Sequence, residues 1–394
     1  MILYVVAFFV ILILLFSAYI RIKYRFWSMQ PVFHFYDVYY WFVDKGVIES
    51  ELPTKNKYYQ PSIKTSSFDS VDEKQITDFL QLIHTDYISN KEYKENKFTP
   101  DKENVIPYFV GHNSNSYWSF HYEKQFAQSN DIVEEDKLIS IMTGRPLHVE
   151  ISKPKLSFDV YYIDYLCVDK NKRKKGIAPQ MIQTHEYNQR HSNKNIQVSL
   201  FKREDELTGI IPLCAYDSYG FKTDKWVAPQ SLHSEYKFLL CDQQNMYYLM
   251  DFIKSSCNKF DIFIISDVGN LMELVKTNNI YVYMLLKGVD ILCAYFFRKT
   301  CTFVKKDEEV LSCFASLNGG VEEKIFIHAF KIAFWMIKEK NKGYEYLLVE
   351  KISHNNVIVD NLVIKTNPII SKTAYFFYNF AYHTFLSNKT FICC

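Results

Sequence analysis

Beyond residue 50 the chain uses one pattern twice: a helix, a β-rich stretch, then strand, turn, helix, strand. Strands joined through a helix run parallel and need a crossover, so each half should hold a mixed, mostly buried sheet with helices packed against it. The first helix is announced by Ser70-Val71-Asp72-Glu73, which reads as a capping box, followed by Ile76, Phe79, Leu80 and Ile83 at the spacing of one helix face. Met246, Leu249, Met250 and Ile253 repeat that spacing after Asp242. In the first half, strands at 138–142 and 160–168 lead through a basic turn to a helix at 178–190 and a strand at 196–201. In the second, strands at 281–286, 291–297 and 310–317 turn at Gly319-Gly320 into a helix at 321–340, with a strand at 344–349 after Gly343. Two similar α+β units, 51–225 and 226–394, are the economical reading.

Residues 2–20 form an apolar run interrupted only by Ser17, long enough as a helix to cross a bilayer. A cleaved signal peptide is the rival, but no basic segment precedes the run, and Ala18-Tyr19-Ile20 is a poor cleavage site. The reading is a retained transmembrane anchor at 1–20. Arg21, Lys23 and Arg25 follow at once, which by the positive-inside rule places the rest of a single-pass protein in the cytoplasm and leaves the sequon at Asn388 silent.

Lys+Arg 46 against Asp+Glu 44 gives a net charge of +2, so no global field points to nucleic acid, and any basic site must be local. Nine Cys without a C-x-x-C pair argue against a disulfide framework and against a metal site, and fit reduced thiols. Only 11 Gly beside 30 Tyr and 32 Phe is the composition of an AT-rich coding sequence, such as that of a parasite or a large DNA virus.

The turn at 169–179 concentrates the chemistry. Lys170, Lys172, Arg173, Lys174 and Lys175 end at Gly176-Ile177-Ala178-Pro179, between a buried strand and a helix. A helix N-terminus offers unpaired amides, and Gly176 lets the backbone approach closely, so a pyrophosphate fits there beside the cations. A solvated basic turn, or contact with anionic lipid, is the plainer alternative. The corresponding turn of the second half carries Glu322 and Glu323 instead, so one site per chain follows.

Arg173-Lys174-Lys175-Gly176-Ile177-Ala178 matches the R/Q-x-x-G-x-G/A acyl-CoA loop of the GNAT superfamily. Tyr24-Arg25-Phe26-Trp27-Ser28-Met29-Gln30-Pro31-Val32 resembles the Y-K-F-W-x-T-Q-P-V signature of protein N-myristoyltransferases. Asp164-Tyr165-Leu166-Cys167-Val168 with the basic turn is similar to their N-F-L-C-V-H-K-K-L-R-S-K-R-V-A-P, and Tyr375-Phe376-Phe377-Tyr378-Asn379-Phe380 to their Y-Y-L-Y-N-W. The resemblance spans about 21–394 and implies two fused GNAT-like units, preceded here by one transmembrane helix.

It also implies roles. Phe26, Trp27 and Gln30, in a segment at 21–50, would cover the CoA end of an acyl donor, although Phe-Trp beside an anchor also suits an interfacial aromatic belt. Backbone amides of Tyr165 and Leu166 would form the oxyanion hole, at a strand edge opened by a bulge. Arg173, Lys174, Lys175, Gly176, Ile177 and Ala178 would hold the phosphates of acyl-CoA, myristoyl-CoA in the family. The C-terminal carboxylate, here that of Cys394, would deprotonate an N-terminal glycine amine, and no metal is needed. The paired Cys393-Cys394 also reads as a lipidation signal.

The acceptor side departs from the family. Its acidic run is replaced at 87–93 by Tyr-Ile-Ser-Asn-Lys-Glu-Tyr, its T-A-G by Phe201-Lys202-Arg203-Glu204, and its Y-W-H-R-S-L-N by Tyr216-Asp217-Ser218-Tyr219-Gly220-Phe221. Asp217 reads as a turn residue, and Glu350 lies near the family's acceptor-side aspartate. His185, His328 and His383 read as core or surface histidines, Cys167 as a buried small hydrophobe, and Glu134-Glu135-Asp136 as solvated loop charge. A membrane-tethered N-acyltransferase is the leading expectation. A catalytically silent acyl-CoA-binding or structural membrane protein with the same fold is the alternative.

Overall fold

The computed structural model describes residues 2–43, 45–87, 97–128, 132–204, 209–305, 307–341, 343–364 and 366–394. Helix α1 (Ile2–Tyr24) leads to the one-turn helix α2 (Val38–Phe42) and the short strands β1 (Gly46–Val47) and β2 (Lys64–Ser67). Helix α3 (Glu73–Asp86), β3 (Lys97–Phe98) and α4 (Lys102–Val105) precede the long strands β4 (Tyr117–Gln128), β5 (Ile132–Ile151) and β6 (Leu156–Val168). Helix α5 (Ile177–Ser192), β7 (Val198–Glu204) and β8 (Cys214–Lys222) complete the first half.

The second half begins with β9 (Tyr236–Leu240), α6 (Met246–Ser256), β10 (Ile262–Ile265) and α7 (Val268–Lys276). It continues through β11 (Ile280–Lys287), β12 (Asp290–Lys305), β13 (Glu308–Asn318), α8 (Glu323–Lys340), β14 (Tyr344–Glu350) and α9 (Asn355–Val363). Strands β15 (Ile369–Tyr378), β16 (Phe380–Ala381) and β17 (Thr390–Cys393) end the chain.

Both expected crossovers are present: β6 and β7 pair in parallel around α5, and β13 and β14 around α8. One continuous mixed sheet links the two halves in the order β17-β10-β5-β6-β7-β15-β8-β14-β13-β12-β11-β9. Strand β15 inserts between β7 and β8, and β8 in turn pairs with β14. Strand β17 is buried along its whole length because it serves two cores. Its Phe391 and Cys393 pack with Phe296 and Phe314, and Ile392 with Cys394 packs against Val149 and Ile264. That alternation is the two-residue period of a strand with apolar matter on both faces.

Three local readings change. The cap of α3 is Asp72 rather than Ser70: its carboxylate accepts from the Gln75 amide at 2.8 Å, and Gln75 Oε1 accepts from the Asp72 amide at 3.1 Å. Asp217 lies within β8 opposite Lys372, not in a turn, because Gly220 is itself in register with Ile369. Glu134, Glu135 and Asp136 belong to β5, in register with Phe126, Gln125 and Lys124 of β4. Helix α1 continues past the apolar run through Arg21 and Lys23 in its last turn; Phe8–Phe16 and Tyr19 are exposed, whereas Ile20 is buried.

Candidate active site

Strand β6 and strand β7 pair only from Val160–Val198 to Ile163–Phe201 and then diverge, although β6 runs on to Val168. On the other side of β6 the register with β5 shifts between Met142 and Gly144, so Thr143 lies opposite a bulge at Asp164 and Tyr165. A bulge bends a strand and frees its edge, which opens a wedge between β6 and β7. The Tyr165 amide donates to Thr143 Oγ1 at 3.2 Å, so it is already engaged. The side chain of Tyr165 packs on Phe79 and Tyr87, and Leu166 lines the wedge.

At the outer end of the wedge, the basic turn coils onto α5. Lys174 and Gly176 both have positive φ, 64° and 82°, the winding by which backbone amides form an anion-binding concavity beside a helix N-terminus. Gly176 is the residue that tolerates this at low cost. The cations divide into two sets. Lys172 pairs with Glu123, and Arg173 donates to the carbonyls of Val168, at 3.1 Å, and Asp86, which ties the turn to β6 and α3. Lys174, which lines the groove, and its neighbour Lys175 are both exposed. A groove of about 690 Å³ runs here, lined by Phe26, Leu166, Lys174, Gly176, Ile177 and Ala178 among others.

Inward, the groove shares Phe26, Tyr87, Leu166, Ala178 and Pro179 with a mainly apolar cavity of about 460 Å³. Trp27 stacks on Phe201 at 5.9 Å to form one wall, and Ile163, Ile182 and Met142 form others. Gln30 is not part of the lining: it is buried behind Tyr378, whose hydroxyl donates to Gln30 Oε1 at 2.7 Å. Glu186 of α5 reaches the cavity, with burial raising its carboxyl to about 7 against the opposing pull of Arg190. The folded chain therefore keeps a proton that the unfolded chain releases near 4.5, so this group's stabilisation is full below about pH 4.5 and is lost as pH rises to about 7. Replacing Glu186 by Gln should change the stability difference from the parent by about 3 kcal/mol across that window, in favour of the variant at high pH. Denaturant titrations at pH 4.5 and 8 measure it, and a pH-independent difference would sink the assignment.

At its other end the cavity meets a buried ionic centre through Asp164 and Lys202. Arg145, fully buried on β5, donates through Nε to Asp164 at 2.7 Å, and its guanidinium carbon lies 5.3 Å from both the Tyr108 and Tyr162 rings. Across the junction, Glu350 at the end of β14 accepts from Lys202 Nζ at 3.1 Å, from Arg298 Nη2 at 3.2 Å and from the Tyr216 hydroxyl. Burial alone would raise the Glu350 carboxyl, but Lys202 and Arg298 outweigh it and hold it below its ordinary value. For Asp164 burial wins over Arg145, and its carboxyl is raised. Arg298 Nη1 also donates to the Cys394 main-chain oxygen at 3.1 Å, which seats the end of the chain in this centre with Cys394 1% exposed.

Of the residues expected from the sequence, Phe26, Trp27, Leu166, Lys174, Gly176, Ile177 and Ala178 line the groove or the cavity. Arg173 lines the groove but spends its guanidinium on backbone carbonyls, Gln30 and Tyr165 lie outside the lining, and Cys394 is buried in the ionic centre. Arg145 and Arg298 escaped the sequence reading. Their signal was a cation within an apolar strand, alone in Ile-Met-Thr-Gly-Arg-Pro-Leu and followed by Lys299 in Ala-Tyr-Phe-Phe-Arg-Lys, where an unpaired charge cannot be buried. Cys167 and His185 behave as core: burial lifts the thiol to about 12 and lowers the imidazole to about 4, and the His185 ring bonds Ser119 and Gln189. The substituted acidic run falls at 88–93, outside the described residues.

Residues 43–214 match the family model described as myristoyl-CoA:protein N-myristoyltransferase, N-terminal domain. No curated protein matches the chain in sequence. Among solved structures, a Saccharomyces cerevisiae N-myristoyltransferase with bound myristoyl-CoA has a TM-score of 0.71 at 13% identity, over 93% of this chain and 94% of that one. Another structure of the yeast enzyme with myristoyl-CoA has a TM-score of 0.72 at 14% identity, over 93% and 90%. A tandem GNAT protein from the clavulanic acid biosynthesis pathway has a TM-score of 0.52 at 7% identity, over 82% and 99%. At these identities the structures establish the fold alone, a large mixed sheet flanked by helices like those of the yeast enzyme and the tandem GNAT protein. Family match and fold together support an acyltransferase, with residues 43–214 similar to the N-terminal domain of the N-myristoyltransferase family.

Proposed function

We propose that this chain is a membrane-tethered N-acyltransferase that passes a long-chain acyl group, myristoyl by analogy with its structural relatives, from CoA to an amine such as an N-terminal glycine. The observation that carries the proposal is contiguity: a basic helix N-terminus, an apolar cavity and a buried ionic centre share walls in that order. The turn would bind the CoA phosphates through amides and Lys174 and Lys175, and the cavity would hold the alkyl chain. The Leu166 amide, and that of Tyr165 once released by Thr143, would stabilise the tetrahedral oxyanion. The carboxylate of Cys394 would take the amine proton as the C–N bond forms and the thiolate of CoA departs.

Incubation with myristoyl-CoA and a library of glycine-initiated peptides, read by mass spectrometry for CoA and acylated product, tests transfer. Two observations favour the second reading, a binder without turnover: Arg298 holds the Cys394 oxygen in a charge-assisted bond that weakens it as a base, and Thr143 occupies the Tyr165 amide. Tight binding with no acylated product would select that reading. Under both, replacing Lys174 and Lys175 together by Ala should weaken CoA binding about tenfold at low salt, and less at high salt. Calorimetric titration at two ionic strengths measures this, and unchanged affinity would remove the phosphate site from the turn.

The membrane part rests on α1, whose apolar residues Phe8–Phe16 are exposed, and on its contact with the next segment. Phe16 meets Tyr36 edge-on at 6.5 Å, and Val38, Tyr39, Phe42 and Val43 beside it are exposed, a grouping suited to the interfacial belt of one leaflet. Deleting α1 should release the protein from vesicles in flotation assays.

A further inference from the structure

The apolar cavity has an inner end that is not apolar. It follows one face of α5, from Ala178 and Pro179 past Ile182 to Glu186, which at 1.5 Å per residue lies about 12 Å along the helix axis from Ala178. On the sheet side Ile163 and Phe201 give way to Ser199 at the same depth. A pocket built only for an alkyl chain would close on methyl groups. This one closes on a carboxyl group, Glu186, which is an acceptor on both oxygens once it is ionised above about pH 7.

Glu186 is 4% exposed and incompletely satisfied. Its Oε2 accepts from Ser199 Oγ at 3.4 Å, but Oε1 accepts no hydrogen bond among the described residues. Arg190 Nη1 stands 3.9 Å from Oε1, beyond hydrogen-bond reach, and Arg190 Nη2 is held by the carbonyls of Glu49, Ser50 and Glu51, the last at 2.9 Å. The guanidinium is therefore anchored away from the oxygen it would satisfy. A buried acceptor without a donor is costly, and a donor brought by a ligand removes that cost.

We propose that the inner end of the cavity, Glu186 with Ser199, selects a long-chain acyl group bearing a hydroxyl near its distal end, with the hydroxyl donating to Glu186 Oε1. This rests on the acyl-CoA reading above and names the class of acyl group. A hydrogen-bonding site discriminates against a ligand lacking the matching group, because the buried partner is then left unpaired. An unsubstituted chain would leave Oε1 as it stands, whereas the hydroxylated chain would satisfy it.

The test uses the full chain in lipid nanodiscs at a pH about one unit above 7, where Glu186 is ionised, and compares three ligands by calorimetry: CoA, tetradecanoyl-CoA, and tetradecanoyl-CoA hydroxylated on the penultimate carbon. The hydroxylated thioester is expected to bind about tenfold more tightly than the unsubstituted one. Glu186→Leu should reverse that preference while binding CoA as the parent does, which also reports that the variant has folded. Equal or tighter binding of the unsubstituted chain by the parent overturns the proposal and leaves the acyl-CoA reading intact. If neither thioester binds more tightly than CoA, the acyl cavity itself fails, and the proposal with it. The parent comparison decides the matter even where the Leu variant does not fold, and Glu186→Gln, which keeps an acceptor oxygen, should retain the preference.

Discussion

Addition of one alanine after Cys394 is expected to abolish acyl transfer, with a fall in kcat of about a hundredfold to ten-thousandfold, the range of a lost general base. Cys394 is buried and its main-chain oxygen is held by Arg298, so an added residue both removes the carboxylate from that position and forces a peptide group into a site without room for it. Binding of acyl-CoA should persist, because the turn at Lys174–Gly176 and the apolar cavity lie on other elements. Single-turnover acylation measured beside equilibrium binding separates the two effects. Retained turnover in the extended chain would remove Cys394 from the role of base.

The second large effect is on stability. Replacing Arg145 by Met should cost about 3–5 kcal/mol, because Asp164 would remain buried with its charge uncompensated. The Met side chain fills much of the same volume, so the loss reports electrostatics more than a cavity. Adding Asp164→Asn to that variant should recover a large part of it, and a double-mutant cycle by denaturant titration isolates the pair. A single variant within about 1 kcal/mol of the parent would show that water or relaxation compensates Asp164.

Much of this was legible in the sequence, and for physical reasons. Each half contains a strand, a turn and a helix whose apolar residues repeat at one period or the other, so β6, α5, β13 and α8 were foreseeable from pattern alone. The turn at 170–178 was legible because it breaks that pattern with a run of cations ending in glycine. The ionic centre was not, since Arg145, Asp164, Lys202, Arg298 and Glu350 lie on five strands and meet only through long-range pairing. Their individual local contexts carry no hint of one another. The same limit hid Glu186, which sits on a helix face where Gln183, Thr184, His185, Gln189 and Arg190 are also buried. A run so polar reads as a solvated surface, and only the packing of α5 over the sheet makes it an interior.

The interleaving of strands bears on how such a molecule admits its ligands. Two units joined by a linker can open about a hinge, but here β15 lies between β7 and β8, and β17 is shared by both cores. Swinging the halves apart would break several ladders at once, which is the scale of global unfolding rather than of a working motion. Access to the cavity therefore falls to the wall that belongs neither to a strand of the sheet nor to the crossover helix α5, Phe26 and Trp27, just beyond helix α1. Loop and terminal segments rearrange on nanosecond to microsecond timescales, so the gate is expected to be fast, and its position is set by whatever surface holds that helix.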